Sequence, residues 1–156
     1  MAQELMKDRD YRLSTLLLLT MNTIVKAEDK EMQKYGISLE EAGMLFVAEA
    51  IGKNANPAEI ARWHLREHHS VSDLLKRMNK KGLVNLDKDL ERKNMIRVSL
   101  TPKGREAFLI WKNARARHEI TSVLSEEERQ QLTVCLEKLR DAALSRLSID
   151  YKPPFP

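Results

Sequence analysis

Between Asn56 and Gly104 the chain is punctuated in an order that few folds satisfy: short helix, turn, second helix, β-hairpin. Asn56-Pro57-Ala58-Glu59 supplies an N-cap, a proline at the first helical position and a first-turn carboxylate that the helix dipole favours. Ile60, Ala61 and Leu65 form the buried side of that helix, and Trp63 lies elsewhere on the wheel. Ser70-Val71-Ser72-Asp73 reads as a capping box opening a helix over 70–81, which Gly82 closes. Its apolar residues Val71, Leu74, Leu75 and Met78 fall at i, i+3, i+4 and i+7, so one face is core and the other is free. Leu83 to Asp87 and Ile96 to Leu100 then read as short strands around a charged, turn-like segment. The charge agrees with this order. From Arg62 to Arg105 there are 12 Lys and Arg against 5 Asp and Glu, whereas the remainder has 15 against 18. A basic block inside an otherwise slightly acidic chain is the footprint expected of a nucleic-acid-binding surface. A rod of a dozen residues is roughly 18 Å long, which suits a major groove about 12 Å wide.

The flanks read as long helices. The first is predicted from about Asp8 to Tyr35, with Gly36 as its left-handed stop. Its apolar positions Leu13, Leu16, Leu17, Thr20, Ile24 and Ala27 are widened by Leu18, Leu19, Met21 and Val25 beyond what one packing surface needs. Ser38-Leu39-Glu40-Glu41 is a capping box for a second helix ending at Gly52. Thr101-Pro102 opens a fifth helix predicted to run to about Ser122. Ser125-Glu126-Glu127-Glu128 caps a last one, with Leu132, Leu136, Leu139, Ala143 and Leu147 on its apolar face. The tail from Tyr151 to Pro156 is expected to be extended. The fold expected is mainly α with a small β-hairpin wing: residues 1–35 an N-terminal dimerisation helix, 36–104 a winged helix-turn-helix lobe, 105–156 C-terminal dimerisation helices and tail. Aromatic content of 5% leaves the core to aliphatic residues and methionine, and a charged fraction of 32% favours exposed helices. The single cysteine, Cys135, excludes an intramolecular disulfide. The apolar stretch from Leu13 to Val25 is too short and too often interrupted to span a bilayer. A cytoplasmic, soluble protein without membrane contact is expected.

The run Pro57-Ala58-Glu59-Ile60-Ala61, Ser70 to Met78, Lys81-Gly82-Leu83-Val84 and Val98-Ser99-Leu100-Thr101-Pro102-Lys103-Gly104 resembles the MarR (multiple-antibiotic-resistance regulator) family of bacterial transcription factors. The element order agrees over nearly the whole chain. Where many members carry an Asp-Arg-Arg-like triplet at the wing tip, this chain has Glu91-Arg92-Lys93. The resemblance implies a homodimeric, sequence-specific regulator of double-stranded DNA, expected to be an effector-responsive repressor on a pseudo-palindromic operator. It also implies a small-molecule effector crevice between the dimer helices and the DNA-binding lobe, for which Tyr11, Arg12, Thr15, Met44, Trp63 and Trp111 are the candidates. Packing of the joint between lobes is the competing role for these six.

With the apolar face of helix 70–81 turned inward, Ser72, Asp73, Lys76, Arg77 and Lys80 are left facing out. His68, His69 and Ser70 stand at its start, where free amides attract phosphate. Ser70, Ser72 and Arg77 are the expected base readers; Lys76, Lys80 and Lys81 are expected near phosphates. Asp73 is expected chiefly to cap the helix, with base contact or orientation of Arg77 as alternatives. Arg92 and Lys93 are candidates for the minor groove. His64 and His68 would share a face if the third helix continued that far, but with no clear further ligand no metal is assigned, and no cofactor. Cys135, among Leu132, Leu136 and Leu139, is expected to be buried. No nucleophile–base–orienter set or phosphate-binding glycine loop is present, so an enzyme is not expected. The alternative to a DNA-binding regulator is a helical adaptor whose winged lobe binds a protein.

Overall fold

The computed structural model describes residues 7–88 and 95–150. The wing tip with Glu91, Arg92 and Lys93, and the tail 151–156, lie outside the described residues, so their expected roles are not placed. Helix α1 is Arg9–Met32, with the Asp8 carboxylate accepting from the amides of Asp10 (2.9 Å) and Tyr11 (3.0 Å). Its predicted last turn tightens into a 3-10 turn, Gln33–Tyr35, before Gly36 at φ 73°. Helix α2, Leu39–Ile51, has the full reciprocal capping box: the Glu41 amide donates to Ser38 Oγ and the Ser38 amide to Glu41 Oε2. Helix α3, Pro57–Trp63, begins under the Asn56 cap as predicted.

Helix α4, His68–Lys80, starts two residues before the predicted Ser70. Leu65 adopts φ 53°, a left-handed conformation unusual for a bulky residue. That sharp turn brings the chain into helical geometry early, and Glu67 stands at the N-cap without a side-chain bond. The capping box at Ser70 and Asp73 is therefore not formed. At the other end, α4 closes as expected for a left-handed glycine. With Gly82 at φ 72°, the Gly82 amide donates to the Asn79 carbonyl (2.9 Å) and the Leu83 amide to that of Met78 (2.9 Å). Leu83 is thus spent on the helix cap, and strand β1 is Val84–Lys88, paired antiparallel to β2, Ile96–Leu100, with Val84 opposite Leu100.

Thr101 caps helix α5, Pro102–Lys112, through its hydroxyl, which accepts from the Gly104 amide (3.0 Å) and donates to the Gly82 carbonyl (2.6 Å). The helix predicted to continue to Ser122 breaks at Asn113–Ala114, and α6, Arg115–Thr121, begins anew. The Glu31 carboxylate of α1 accepts from the amides of Arg115 (3.0 Å) and Ala116 (2.6 Å), which an unbroken helix would have pointed back at Trp111 and Lys112. Helix α7 is Glu126–Arg146, opened by the Ser125–Glu128 capping box.

One core joins α2, α3, α4, the hairpin and the start of α5. Met32, Met44, Leu45, Ile60, Val71, Leu75, Met78, Leu83, Val84 and Val98 are buried in it. The hairpin is tied in by the Val98 amide, which donates to the Ala55 carbonyl at 2.8 Å. Helices α1 and α7 are different: Leu16, Leu18 and Leu19 are 54–60% exposed, Leu132, Leu136 and Leu139 about 45% exposed, and of α7 only Leu144 is buried. Cys135 is exposed in this single chain, against the expectation of burial, because α7 lays so little of its length on the lobe. No described helix is long and apolar enough to cross a membrane.

Two consequences can be measured. A Cβ on Gly104 would lie 1.9 Å from the Leu83 carbonyl oxygen, so Gly104→Ala must push α5 off the root of the hairpin. The expected cost is about 2 kcal/mol, seen as a Tm lower by roughly 5 °C. Second, the two amides donated to Glu31 hold its carboxyl below the ordinary value of 4.5. Its contribution is complete above the unfolded pKa and is lost as pH falls through the lower folded one. Urea unfolding should therefore show Glu31→Ala less stable than the parent at neutral pH, with the gap closing below about pH 4.

Candidate nucleic-acid interface

The periodicity that buries α4 also decides what it presents. Val71, Leu74, Leu75 and Met78 are buried, while His68, His69, Ser70, Lys76, Arg77 and Lys80 are exposed and Ser72 and Asp73 half-buried. The described candidate residues therefore share one free face of a single helix. Asp73 does not cap that helix, which begins a full turn before it; its carboxylate instead accepts from Lys76 Nζ (3.0 Å) and faces His69 Nε2 (3.3 Å). The hydrogen bond from the Lys76 ammonium holds the Asp73 carboxyl below its ordinary value. Lys76 and His69 are thus tempered by one shared anion, whereas Arg77 and Lys80 extend the charge toward the helix C-terminus.

Lys81 is not a free phosphate contact. Its Nζ lies 2.7 Å from Glu41 Oε1, a carboxylate only 5% exposed, and its carbonyl accepts from Lys103 Nζ at 2.8 Å. The two lysines tie the C-terminal end of α4 to the starts of α2 and α5. Sequence reasoning missed this role, because the burial of Glu41 and its approach to Lys81 are set by tertiary packing and leave no mark in the spacing of residues.

The histidines separate. Helix α3 ends at Trp63 with His64 as C-cap, so His64 and His68 sit on different elements and not on one face. His64 packs against the backbone of Gly43, its Nε2 buried without a hydrogen bond, and burial lowers its pKa so that the neutral ring is favoured. Among the described residues, no three His, Cys, Asp or Glu side chains stand together as an ion site. The Arg66 guanidinium pairs with Glu40 beside this turn.

The six effector candidates are dispersed within the chain. Tyr11 and Arg12 are exposed and Thr15 half-buried in the first turns of α1, Met44 is fully buried, and Trp63 and Trp111 pack against the core. Tyr11 lies 17 residues before Glu28, whose carboxylate meets Arg117 next to Trp111; at 1.5 Å per residue that is roughly 25 Å along the helix. An open cleft of about 470 Å³ exists elsewhere, between α1 and the start of α2, lined by Val25, Lys26, Asp29, Ser38, Leu39, Glu40 and Arg66.

The chain is similar to several transcriptional regulators. Over 97 residues, 62% of its length, it is 26% identical to the HTH-type transcriptional regulator Hpr of Bacillus pumilus, and the match spans about half (47%) of that regulator. An organohalide-sensing RdhR transcriptional regulator, solved with 2,4-dichlorophenol bound, is 28% identical with a TM-score of 0.84, covering 96% of this chain and 90% of its own. Staphylococcus aureus MepR in complex with DNA is 21% identical with a TM-score of 0.75, covering 83% and 96%. Escherichia coli MarR, a mutant complexed with operator DNA, is 18% identical with a TM-score of 0.76, covering 82% and 93%; these last two are likenesses of fold. No protein-family model matches the chain. In fold and in element order the chain is similar to the MarR-type winged helix-turn-helix transcriptional regulators.

Proposed function

We propose that this protein is an effector-responsive repressor that binds a pseudo-palindromic operator as a homodimer. The observation that carries the reading is α4: a helix pinned by four buried apolar residues whose opposite face bears Ser70, Ser72, Lys76, Arg77 and Lys80 beside a hairpin wing. Arg77 grips a guanine edge, Ser70 and Ser72 contact neighbouring bases, and Lys76 and Lys80 with His68 and His69 serve the phosphates. Asp73 sets the position of Lys76. Arg92 and Lys93 extend the contact into the minor groove from the wing. Residues 36–104 form the DNA-binding lobe. Residues 1–35 and 105–156 form the dimer, which covers the exposed leucines of α1 and α7 and sets two copies of α4 one helical turn of DNA apart.

Support for an effector comes from the RdhR relative, which binds a chlorinated phenol. Of the effector candidates, Tyr11, Arg12 and Thr15 of one copy would have to meet Trp111 of the other, since the length of α1 holds them far apart in one chain.

Binding measurements divide the roles. Arg77→Ala should lose preference for an operator selected from a random duplex pool by about 1–3 kcal/mol. Lys80→Ala should weaken selected and random duplexes alike, with the slope of log K against log salt reduced by about 1. Equal losses on both duplexes for both variants would remove the assignment. Leu136→Asp should convert the dimer to monomers by light scattering and abolish tight operator binding, while circular dichroism keeps its helical signal. A dimer that survives this change would place the interface elsewhere.

A further inference from the structure

Apart from the DNA-facing side of α4, one chain of contacts crosses from α1 into the winged lobe with a buried charge in it. Glu28 of α1 is only 8% exposed. Its two carboxylate oxygens accept from Arg117 of α6, Oε2 from Nη2 at 2.9 Å and Oε1 from Nε at 3.2 Å. The same guanidinium lies 4.4 Å from the centroid of the Trp111 ring and donates to the Trp111 carbonyl at 3.4 Å. Trp111 in turn packs against Phe46 of α2, with ring centroids 5.5 Å apart.

The indole explains why this order matters. A buried tryptophan N–H normally finds an acceptor, and that acceptor fixes the ring. Here Trp111 Nε1 is buried with no hydrogen bond. The ring is held by packing and by the cation on its face. That cation is itself fixed by the paired, planar geometry of its bonds to Glu28, which a lysine could not reproduce. Orientation therefore passes in sequence from Glu28 to Arg117, then to Trp111 and to Phe46 on α2, the helix under the recognition helix. Glu31, three residues on, starts α6 and so fixes where Arg117 is delivered.

We propose that Glu28 and Arg117 are positioning residues: their pair sets the angle of the winged lobe on α1, and through it the half-site spacing the protein accepts. The link to spacing rests on the DNA-binding reading above; the link to lobe angle does not.

Two measurements separate these. Spin labels at positions 22 and 85 of the full chain, in a Cys135→Ser background diluted with unlabelled protein, report the distance from α1 to the hairpin. The parent should give one narrow distribution, and both Glu28→Gln and Arg117→Lys should broaden it; the second variant keeps the positive charge and guards against a simple folding defect. Unchanged, narrow distributions in both variants would overturn the proposal. For function, the probe is a duplex selected from a random pool, compared with the same half-sites moved apart by one base pair. The parent should prefer the selected spacing by about tenfold or more and Glu28→Gln by less than about threefold, with affinity for random duplex unchanged. A preserved spacing preference would overturn the functional half. If the parent binds no duplex at all, the regulator reading fails while the distance measurement still decides the lobe angle.

Discussion

The outward face of α4 exists because its inward face is committed. Val71, Leu74, Leu75 and Met78 are each no more than 4% exposed, and burying side chains of this kind contributes about 1.5–3 kcal/mol apiece. The polar contacts on the same helix, His69 and Lys76 with Asp73, are about half or more exposed, and solvent screening leaves them little weight beside that burial. The apolar seam therefore fixes the rotation of the helix about its axis, and the charged side chains take what is left. A register error of one residue would carry Lys76 or Arg77 into the core, which no surface ion pair could offset. The hairpin depends on the same seam, since Leu83 is both the last residue of the α4 cap and the carbonyl against which Gly104 is pressed.

A second constraint runs through carboxylates, two of them buried, that serve backbone amides or cations. Glu41 caps α2 and holds Lys81; Glu31 breaks what would have been one helix into α5 and α6; Glu28 holds Arg117 over Trp111. Each joins elements distant in sequence. In a chain with few aromatics, they provide directional contacts that aliphatic packing does not, because a methionine-rich core tolerates small rotations that a bidentate guanidinium does not.

Legibility in the sequence follows this division. Caps made within three residues, at Ser38, Asn56, Thr101 and Ser125, are readable, and so is the buried face of α4, because both depend on spacing alone. The start of α4 was misread because its determinant is the backbone of Leu65 at φ 53°, which no side-chain pattern announces. The break at Asn113–Ala114 was invisible because its cause, Glu31, lies more than eighty residues away. Lys81 looked like its neighbours Lys76 and Lys80 until a buried carboxylate was placed beside it. The effector candidates rest on residue type and on the family resemblance, and residue type does not say that Tyr11 and Trp111 lie far apart in one chain.

That separation and the exposed leucines of α1 and α7 bear on the same question, which is how much discrimination one lobe can supply. A good bidentate base contact is worth about 1–3 kcal/mol, and α4 carries one arginine and two serines on the free face proposed to meet DNA. One lobe thus reaches only the lower part of the roughly 4–10 kcal/mol that separates specific from non-specific DNA binding. Doubling the lobe doubles the base contacts, and holding the two at fixed separation rejects half-sites at any other spacing. The second gain requires stiffness between α1 and the lobe, and stiffness is what the Glu28–Arg117–Trp111 contacts add. On this reading the apolar flanks bring two lobes together, and the buried carboxylates make their separation selective.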